Sequence, residues 1–250
     1  MGMMQLTRQI ILLNFLLIIP VNGFLDYDII DGYFKHRHIH YASIIGCFST
    51  RKEQLRILKR FIMKPMTSIF DLNKIIVKNV FRTSLQLGIV VDGDCEGVKQ
   101  LLEISGHHNY FNENYHWLVL TLKGNITYIF ENVRMYINAD IQIVFPESVI
   151  NYTVLEVYNP AHGRGGSVKF HKVGFYNSYH KYKFKAQRRC KYWIRRNMTG
   201  VTLRSLIVLP IHFEGRLLDY LNKEDQREIN TFNRFNYNLI SSCQRYYNFS

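Results

Sequence analysis

Short apolar runs alternate with amphipathic segments from residue 39 to residue 145 of the chain. The clearest runs have the length of strands, and turn or capping residues bound each of them. They cover residues 39–48, 87–91, 116–122 and 140–145. Because strands that are buried on both faces are continuously apolar, this alternation predicts an α/β fold with a layered parallel sheet and helices on both faces.

The segments that follow these runs have apolar residues at helical spacing. Thr50 is a suitable N-cap for the first helix and Asp71 for the second, while Gly106 would end the third. A fourth helix is expected over residues 126–136. The residues expected to face the sheet are Leu55, Leu58 and Ile62 in the first helix, Ile75, Ile76, Val80 and Phe81 in the second, and Val98, Leu101, Leu102 and Ile104 in the third.

The sequence changes in character after Thr153. Apolar residues then fall in short segments separated by an Asn-Pro pair and by the glycine-rich stretch 163–166, which is typical of β-hairpins appended to the layered domain. After Gly200 a strand is expected over residues 201–210, and a helix is expected from about Asp225. These two elements predict the truncated start of a second α/β lobe, with a domain boundary near residues 193–200.

The first residues have the form of a secretory signal peptide. An apolar stretch over residues 10–19 follows a short basic region, and Val21 and Gly23 supply the small residues that precede cleavage. We expect residues 1–23 to be removed and the mature chain to begin at Phe24. A retained membrane anchor is the alternative, but a bilayer span needs about 20 apolar residues and this stretch is about half that length.

The chain is therefore expected to enter the secretory pathway, and to be secreted if it truly ends at Ser250. The formal charge of +13 and the pI near 9.6 would otherwise favour nucleic-acid binding. The basic residues are spread through the chain, however, and a secreted protein seldom meets nucleic acid. We interpret the excess charge as a solvated basic surface and expect no nucleic-acid partner.

Sequences of the form Asn-x-Ser/Thr follow the signal region at Asn125, Asn151, Asn197 and Asn248. Each is a weak signal alone, because such triplets occur by chance in a chain that is rich in asparagine. Together with a signal peptide they indicate a glycosylated ectodomain, and all of these asparagines are candidate glycosylation sites.

The cysteines are too few for a disulfide scaffold and lack the spacing of a zinc site. Cys47 and Cys95 each follow an apolar run that is expected to form a strand. If these strands are parallel neighbours, both cysteines lie past the same edge of the sheet, where their Cβ atoms are close enough for a disulfide. In an oxidising compartment we expect the bond Cys47–Cys95, whereas the sequence indicates no partner for Cys190 or Cys243.

Candidate catalytic and metal-binding groups are few. His36, His38 and His40 would point to one side of a strand, as zinc ligands do, but an exposed histidine cluster is the commoner outcome. The Asp-Gly-Asp sequence at 92–94 lacks the glutamate of a calcium loop and is interpreted as a turn, and the stretch 163–166 is interpreted as a hairpin loop. Because no nucleophile elbow, phosphate-binding loop or zinc-protease motif is present, we expect no enzyme, cofactor or metal site.

Several stretches resemble the insect chemosensory ionotropic receptors, which are relatives of the ionotropic glutamate receptors. Residues 193–204 are similar to the start of the ligand-binding domain, where a basic pair (here Arg195 and Arg196) precedes a glycine and the first strand of the lobe. Residues 230–240 and 247–250 look like the first helix of that lobe in the acid- and amine-sensing olfactory branch. The stretches similar to the amino-terminal domain of the same branch, in the same order, are residues 45–49, 87–95 and 115–120.

The resemblance implies a periplasmic-binding-like amino-terminal domain over residues 24–195 and an incomplete first lobe of the ligand-binding domain over residues 196–250. It also implies the extracellular part of a ligand-gated ion channel subunit that contributes to folding and subunit assembly. In the full-length receptor, at the extracellular face of the plasma membrane, the partners would be other ionotropic receptor subunits, including a co-receptor. Only there would a small acid or amine bind, since the family's agonist-binding arginine lies beyond Ser250. No ligand-contact residue is therefore assigned.

Two other functions are compatible with the residues. A free secreted small-ligand-binding protein of periplasmic-binding type would use the cleft at the carboxyl ends of the strands. A secreted enzyme is the third hypothesis, but no paired catalytic groups support it. A transcript that continues past Ser250 would favour the receptor fragment, and a secreted product of this size would favour the free binding protein.

Overall fold

The computed structural model describes residues 26–61, 66–74, 77–81, 86–148, 150–177, 179, 181–184, 190–209, 215–222 and 230–250. Its central feature is an eight-stranded sheet with the strand order β2-β1-β3-β4-β5-β6-β7-β8. The strands are β1 (Tyr41–Gly46), β2 (Met66–Asp71), β3 (Leu87–Asp92), β4 (Tyr115–Leu120), β5 (Ile141–Pro146), β6 (Asn151–Tyr158), β7 (Lys169–Asn177) and β8 (Lys181–Phe184).

Helices pack on both faces of this sheet, so the expected α/β class is confirmed. The helices are α1 (Tyr27–Arg37), α2 (Arg51–Arg60), α3 (Val77–Val80), α4 (Val98–His107), α5 (Thr127–Phe130), α6 (Lys191–Ile194), α7 (Leu217–Asn222) and α8 (Thr231–Tyr247), with a 3-10 turn at Leu72–Lys74. One face is covered by α1 and α2, and the other by α3, α4 and α5. Among the described residues, no helix is both long enough and apolar enough to cross a membrane.

The first five strands in chain order are parallel, and the last three are antiparallel. All residues of β3 are buried, as expected for a central strand of a covered parallel sheet. The expected hairpin strands β6 and β7 are present and extend the same sheet, because β6 pairs along its length with β5. Their apolar residues therefore add to the core on both faces of the sheet.

The amino-terminal helix α1 was not predicted from the sequence. Asp26 caps it by accepting hydrogen bonds from the backbone nitrogens of Asp28 (2.9 Å) and Ile29 (3.3 Å). The three histidines do not share a strand, and all of them are exposed, as the interpretation of an exposed cluster expected. His36 lies in the last turn of α1, His38 is its left-handed C-cap with φ 52°, and His40 follows in a bend.

The edge strand β2 was also missed. Its residues are exposed or half-buried and include Thr67 and Ser68, so it lacks the continuous apolar run that marks the central strands. Asp71 ends this strand and accepts a hydrogen bond from the Asn73 nitrogen (3.1 Å) at the 3-10 turn. It is not an α-helix cap as expected. Ile75 and Ile76 lie outside the described residues.

The buried faces of two helices differ from the expected ones. In α2 the buried residue is Ile57, with Phe61 just after the helix, whereas Leu55 is 49% exposed. Thr50 caps this helix as predicted, in a reciprocal capping box with Glu53. Ile62 lies outside the described residues. In α4 Ile104 is 43% exposed.

The helix expected over residues 126–136 is only one turn long, because the chain leaves the helix after Phe130. Val133 and Met135 then reach the core and are fully buried.

The strand expected over residues 201–210 is absent from the described residues 201–209, which have no regular structure. A strand needs a neighbouring ladder, whereas the backbone hydrogen bonds of residues 201–203 join them to Met198, Arg164 and Ser250, which do not form one continuous strand. The helix expected after it is present as α8, while Asp225 lies outside the described residues.

Gly106 does not end α4, which continues to His107. It is buried where α4 crosses the backbone of Arg134. A methyl group on Gly106 would lie 2.7 Å from the Arg134 carbonyl oxygen and 2.9 Å from its nitrogen. The position therefore requires glycine for close approach of two backbone segments.

We expect Gly106→Ala to destabilise the protein by about 1 to 2 kcal/mol in urea unfolding. Alanine would favour the helix by up to about 1 kcal/mol, but overpacking against a backbone costs about 1 to 3 kcal/mol, and more where no side chain can move aside. Gly124→Ala is the matched control, since no atom lies within 4 Å of its added methyl group. Equal stability of the two variants would contradict this packing.

Candidate functional site: the linker junction

The carboxyl edge of the parallel strands is where open α/β sheets bind ligands, at the point where the strand order reverses. That point lies between β1 and β3, because β1 has β2 on one side and β3 on the other. The expected disulfide Cys47–Cys95 is present there, with the Cα atoms 5.7 Å apart. Asp92 lies beside both sulfurs, but the bonded cysteines offer no thiolate to a metal ion.

Other side chains close the same edge. The Phe48 ring lies so close to Gly46 that a methyl group there would be 2.9 Å from it. The turn at residues 92–94 is present as expected, and its Asp94 accepts hydrogen bonds from the Thr121 hydroxyl (2.7 Å) and the Leu122 nitrogen (2.8 Å). The disulfide, the ring and this carboxylate therefore occupy the position of a ligand crevice.

The opposite edge, at the amino ends of the parallel strands, receives the chain segment that follows the sheet. We call this region the linker junction, and define it as residues 190–204, the glycine stretch 163–166 and the end of α8. Its centre is Arg195, whose side chain is 1% exposed. The guanidinium donates to the carbonyl oxygens of Ile137 and Ala139 (2.7 Å each) and to the carboxylate of Glu156 (3.0 Å).

Arginine suits this position because its planar fork reaches several fixed acceptors at once. Ile137 and Ala139 lie just before β5, and Glu156 lies on β6, so one side chain ties the linker to two neighbouring strands. The guanidinium carbon also lies 4.6 Å from the centre of the Tyr158 ring. Removal of one partner from such a buried pair costs about 3 to 5 kcal/mol.

Two neighbouring side chains hold the same segment. Lys191 donates to the Asn138 carbonyl oxygen (3.2 Å) and forms a salt bridge with Glu113 (3.1 Å). The Tyr192 hydroxyl donates to Glu113 (2.5 Å), and this hydrogen bond together with Lys191 lowers the pKa of the glutamate. Because Glu113 is exposed, these contacts position the segment and add little stability.

The glycine stretch 163–166 forms the second contact of the junction. It connects β6 to β7, as expected for a hairpin loop, and Gly165 has a φ of 85°. A methyl group on Gly165 would lie 2.1 Å from the Gly200 carbonyl oxygen, and the Thr202 nitrogen donates to the Arg164 carbonyl oxygen (2.8 Å). Glycine is thus needed here for close approach to the linker. The adjacent Val201 is fully buried.

The third contact attaches α8 to the linker. Arg196 donates to the Tyr246 hydroxyl (3.0 Å), and its guanidinium lies 4.8 Å from the Trp193 ring centre. The Met198 nitrogen donates to the Tyr247 carbonyl oxygen (2.7 Å). The two arginines of the basic pair therefore bind different parts of the fold, because Arg195 binds the sheet and Arg196 binds α8.

Comparison with known proteins shows which family the chain belongs to. Residues 23–208 match the family described as ionotropic receptor 75a N-terminal, and this match covers the sheet and reaches into the linker junction. The chain belongs to the ionotropic receptor 75a N-terminal family. The matched residues correspond to the N-terminal region of such a receptor.

Two relatives are both named ionotropic receptor 75a. The protein of Drosophila sechellia is 25% identical and that of Drosophila melanogaster is 24% identical, in each case over 84% of this chain. Each alignment covers 38% of the relative, so the chain spans well under half the length of the receptors that it matches. The resemblance in the motifs at residues 45–49, 87–95 and 115–120 thus identified the correct family.

A buried charge cluster in this receptor region lies close to Arg195. Asp140 accepts a hydrogen bond from Arg37 of α1 (2.8 Å) and lies 2.6 Å from the Nδ1 atom of His116 in β4. Burial alone would raise the pKa of Asp140, but the hydrogen bond with His116 and the charge of Arg37 outweigh it, so the pKa is lowered. No sequence signal pointed to this cluster, because its members come from three separate segments of the chain.

The candidate glycosylation sites differ in accessibility. Asn125, Asn197 and Asn248 are exposed, and Asn197 accepts hydrogen bonds from the nitrogen and hydroxyl of Thr199, the third residue of its acceptor sequence. Asn151 is half-buried, its side chain accepts a hydrogen bond from Asn177, and Thr153 is buried. Glycosylation at these positions stays a prediction. Asn151 is the least suitable of them.

The other cysteines have no disulfide partner among the described residues. Cys190 is exposed at the start of the linker junction, and Cys243 is half-buried in α8.

Replacement of Asp140 by asparagine should cost about 2 kcal/mol near neutral pH, the usual value for a hydrogen bond to a charged group. The folded pKa of Asp140 is below its usual value of 3.8, so its stabilisation is present above that value and is lost as the pH falls through the folded pKa. The difference in urea unfolding between wild type and Asp140→Asn should therefore shrink toward about pH 3.

Asp31→Asn is the control, because Asp31 pairs with Lys35 on the surface and should contribute less than about 1 kcal/mol. A stability difference for Asp140→Asn that stays constant across this pH range would contradict the assignment.

Proposed function

We propose that this chain is the extracellular amino-terminal part of an olfactory, ligand-gated ion channel subunit. Residues 24–195 would be the amino-terminal domain, and residues 196–250 would begin the first lobe of the ligand-binding domain. The observation that carries the proposal is the family match over residues 23–208. The linker junction supports it, because Arg195, the last residue of the first region, binds Glu156 in the sheet. Arg196, the first residue of the second region, binds Tyr246 of α8.

In this proposal the domain contributes to folding and to subunit assembly, and it has no enzymatic role. The partners are other ionotropic receptor subunits, including a co-receptor. A small acid or amine would bind only in the full-length receptor, in the ligand-binding domain. The protein would pass through the secretory pathway to the extracellular face of the plasma membrane, which fits a structure with a disulfide and exposed acceptor asparagines.

The linker junction gives this role a physical basis. A receptor whose amino-terminal domain takes part in assembly needs a defined orientation between that domain and the next one. Flexible linkers lose orientation, whereas contacts with buried groups on both sides retain it. Here Arg195, Val201 and the glycine stretch 163–166 fix the start of the following segment against the sheet.

The geometry favours the receptor over a free small-ligand-binding protein. A protein of periplasmic-binding type would use the carboxyl edge of the strands. In this chain the disulfide Cys47–Cys95 and the Phe48 ring occupy that position between β1 and β3. Such a protein would need these groups to move before it could bind a ligand there.

A chimeric receptor tests the proposal. The aligned region of Drosophila melanogaster ionotropic receptor 75a is replaced by this chain, and the chimera is expressed in cells with a co-receptor. We expect it to reach the cell surface and to give a current with the agonist that opens the unmodified receptor. Arg195→Met in the chimera should abolish both, because it leaves Glu156 buried without its partner at a cost of about 3 to 5 kcal/mol.

Arg196→Met is the matched control, because it removes an exposed contact worth about 1 kcal/mol or less and should retain most of the surface protein. Equal surface levels of the two variants would contradict the role of the junction. Secretion of the chain as a folded monomer, with a chimera that never associates with the co-receptor, would contradict the receptor assignment.

A further inference from the structure

The outward face of α2 is strongly basic. Arginine and lysine occupy half of this ten-residue helix, and all of them are exposed. They are Arg51, Lys52, Arg56, Lys59 and Arg60. We call this surface the basic face of α2. Basic residues are spread through the sequence, whereas the fold places these five on one surface.

The packing of α2 fixes this face toward solvent. Ile57 is 3% exposed and Phe61 is 4% exposed, and both belong to the core cluster on the α1 side of the sheet. The reciprocal capping box between Thr50 and Glu53 sets the start of the helix. Since residues three and four apart share a side of a helix, Lys52, Arg56 and Lys59 form a row of about 10 Å along the outside.

Among the described residues, few acidic side chains form salt bridges with the basic residues of this helix. Arg60 pairs with Asp28 (3.3 Å), which also pairs with Lys181 (3.6 Å) from β8. The described part of the chain contains no salt bridge to the other four basic residues of the helix. Tyr27 lies close enough to Arg56, Glu53 and Arg60 for the charges of all three to act on its hydroxyl, and Glu53 is the acidic residue among them. The surface is therefore positive, with a half-buried aromatic ring beside it.

Several kinds of partner fit this surface poorly. A helix that binds a membrane inserts an apolar face, but the apolar face of α2 is buried on the sheet. A stable protein interface has an apolar centre that is depleted of charge, whereas the exposed large apolar residue of this described helix is Leu55 alone, beside the row. The disulfide Cys47–Cys95 indicates an oxidising compartment, where a protein seldom meets nucleic acid.

We propose that the basic face of α2 binds a sulfated polysaccharide. Such a polymer is extracellular and carries closely spaced anions, so it complements a row of cations that does not need an apolar centre. Arginine matches the sulfate oxygens with a planar fork, as it matches phosphate, and lysine supplies point charges. Binding releases counterions from the polymer and is therefore steeply dependent on salt. This inference does not rest on channel activity.

Heparin is the probe, and its dissociation constant is measured at about 0.15 M salt and at higher concentrations. The triple variant Lys52→Gln/Arg56→Gln/Lys59→Gln should bind at least about tenfold more weakly and show a shallower dependence on salt. Glutamine retains helix propensity, and all three positions are exposed, so thermal unfolding should be unchanged.

The matched control is Arg204→Gln/Arg216→Gln/Arg245→Gln, which removes the same charge from exposed positions elsewhere. We expect its affinity for heparin to stay within about threefold of wild type, since distant charges contribute little through screened solvent.

Equal loss in the two triple variants would overturn the proposal, because it would indicate attraction to the net charge alone. The proposal would also be wrong if heparin did not bind at about 0.15 M salt, or if unsulfated hyaluronan, duplex DNA or phosphatidylserine vesicles bound to this face as tightly as heparin.

Discussion

The buried guanidinium of Arg195 is the interaction on which the arrangement of this receptor region depends. A cation removed from water must recover several kcal/mol of lost hydration, and it does so only where fixed acceptors surround it. Here two carbonyl oxygens before β5, the carboxylate of Glu156 and the Tyr158 ring provide those acceptors. Because β5 and β6 must be paired for this site to exist, the linker can dock only on a completed sheet.

The carboxyl ends and the amino ends of the parallel strands form two edges of the sheet, and these edges hold different groups. The carboxyl edge is closed by the disulfide Cys47–Cys95, by Phe48 and by the hydrogen bonds of Asp94, so the position used for ligands in many α/β proteins is filled. At the amino edge, Asp140 contacts Arg37 and His116. The linker junction lies next to this cluster. Buried Asp140, Glu156 and Arg195 thus lie where the chain leaves the sheet, whereas Asp92 is buried at the carboxyl edge.

The sequence was sufficient for the central strands, the fold class and the disulfide, because each depends on local signals such as continuous apolar runs and the residues that end them. It failed for β2, which is a half-exposed edge strand, and for the extent of the helix after residue 126, where Val133 and Met135 reach the core from a turn. The junction could not have been found in this way. A basic pair such as Arg195 and Arg196 is ordinarily solvated, and only the fold shows that one of the two is buried.

Hydrogen exchange of the native chain tests the central claim most directly. The backbone nitrogens of Arg195, Val201 and Thr202 donate to carbonyl oxygens of Lys191, Met198 and Arg164. If the linker junction is part of the folded domain, these amides should be protected to the same degree as those of β5 and exchange through the same opening reaction. Exchange of the three amides at the rate of an unstructured peptide, while β5 stays protected, would contradict the account.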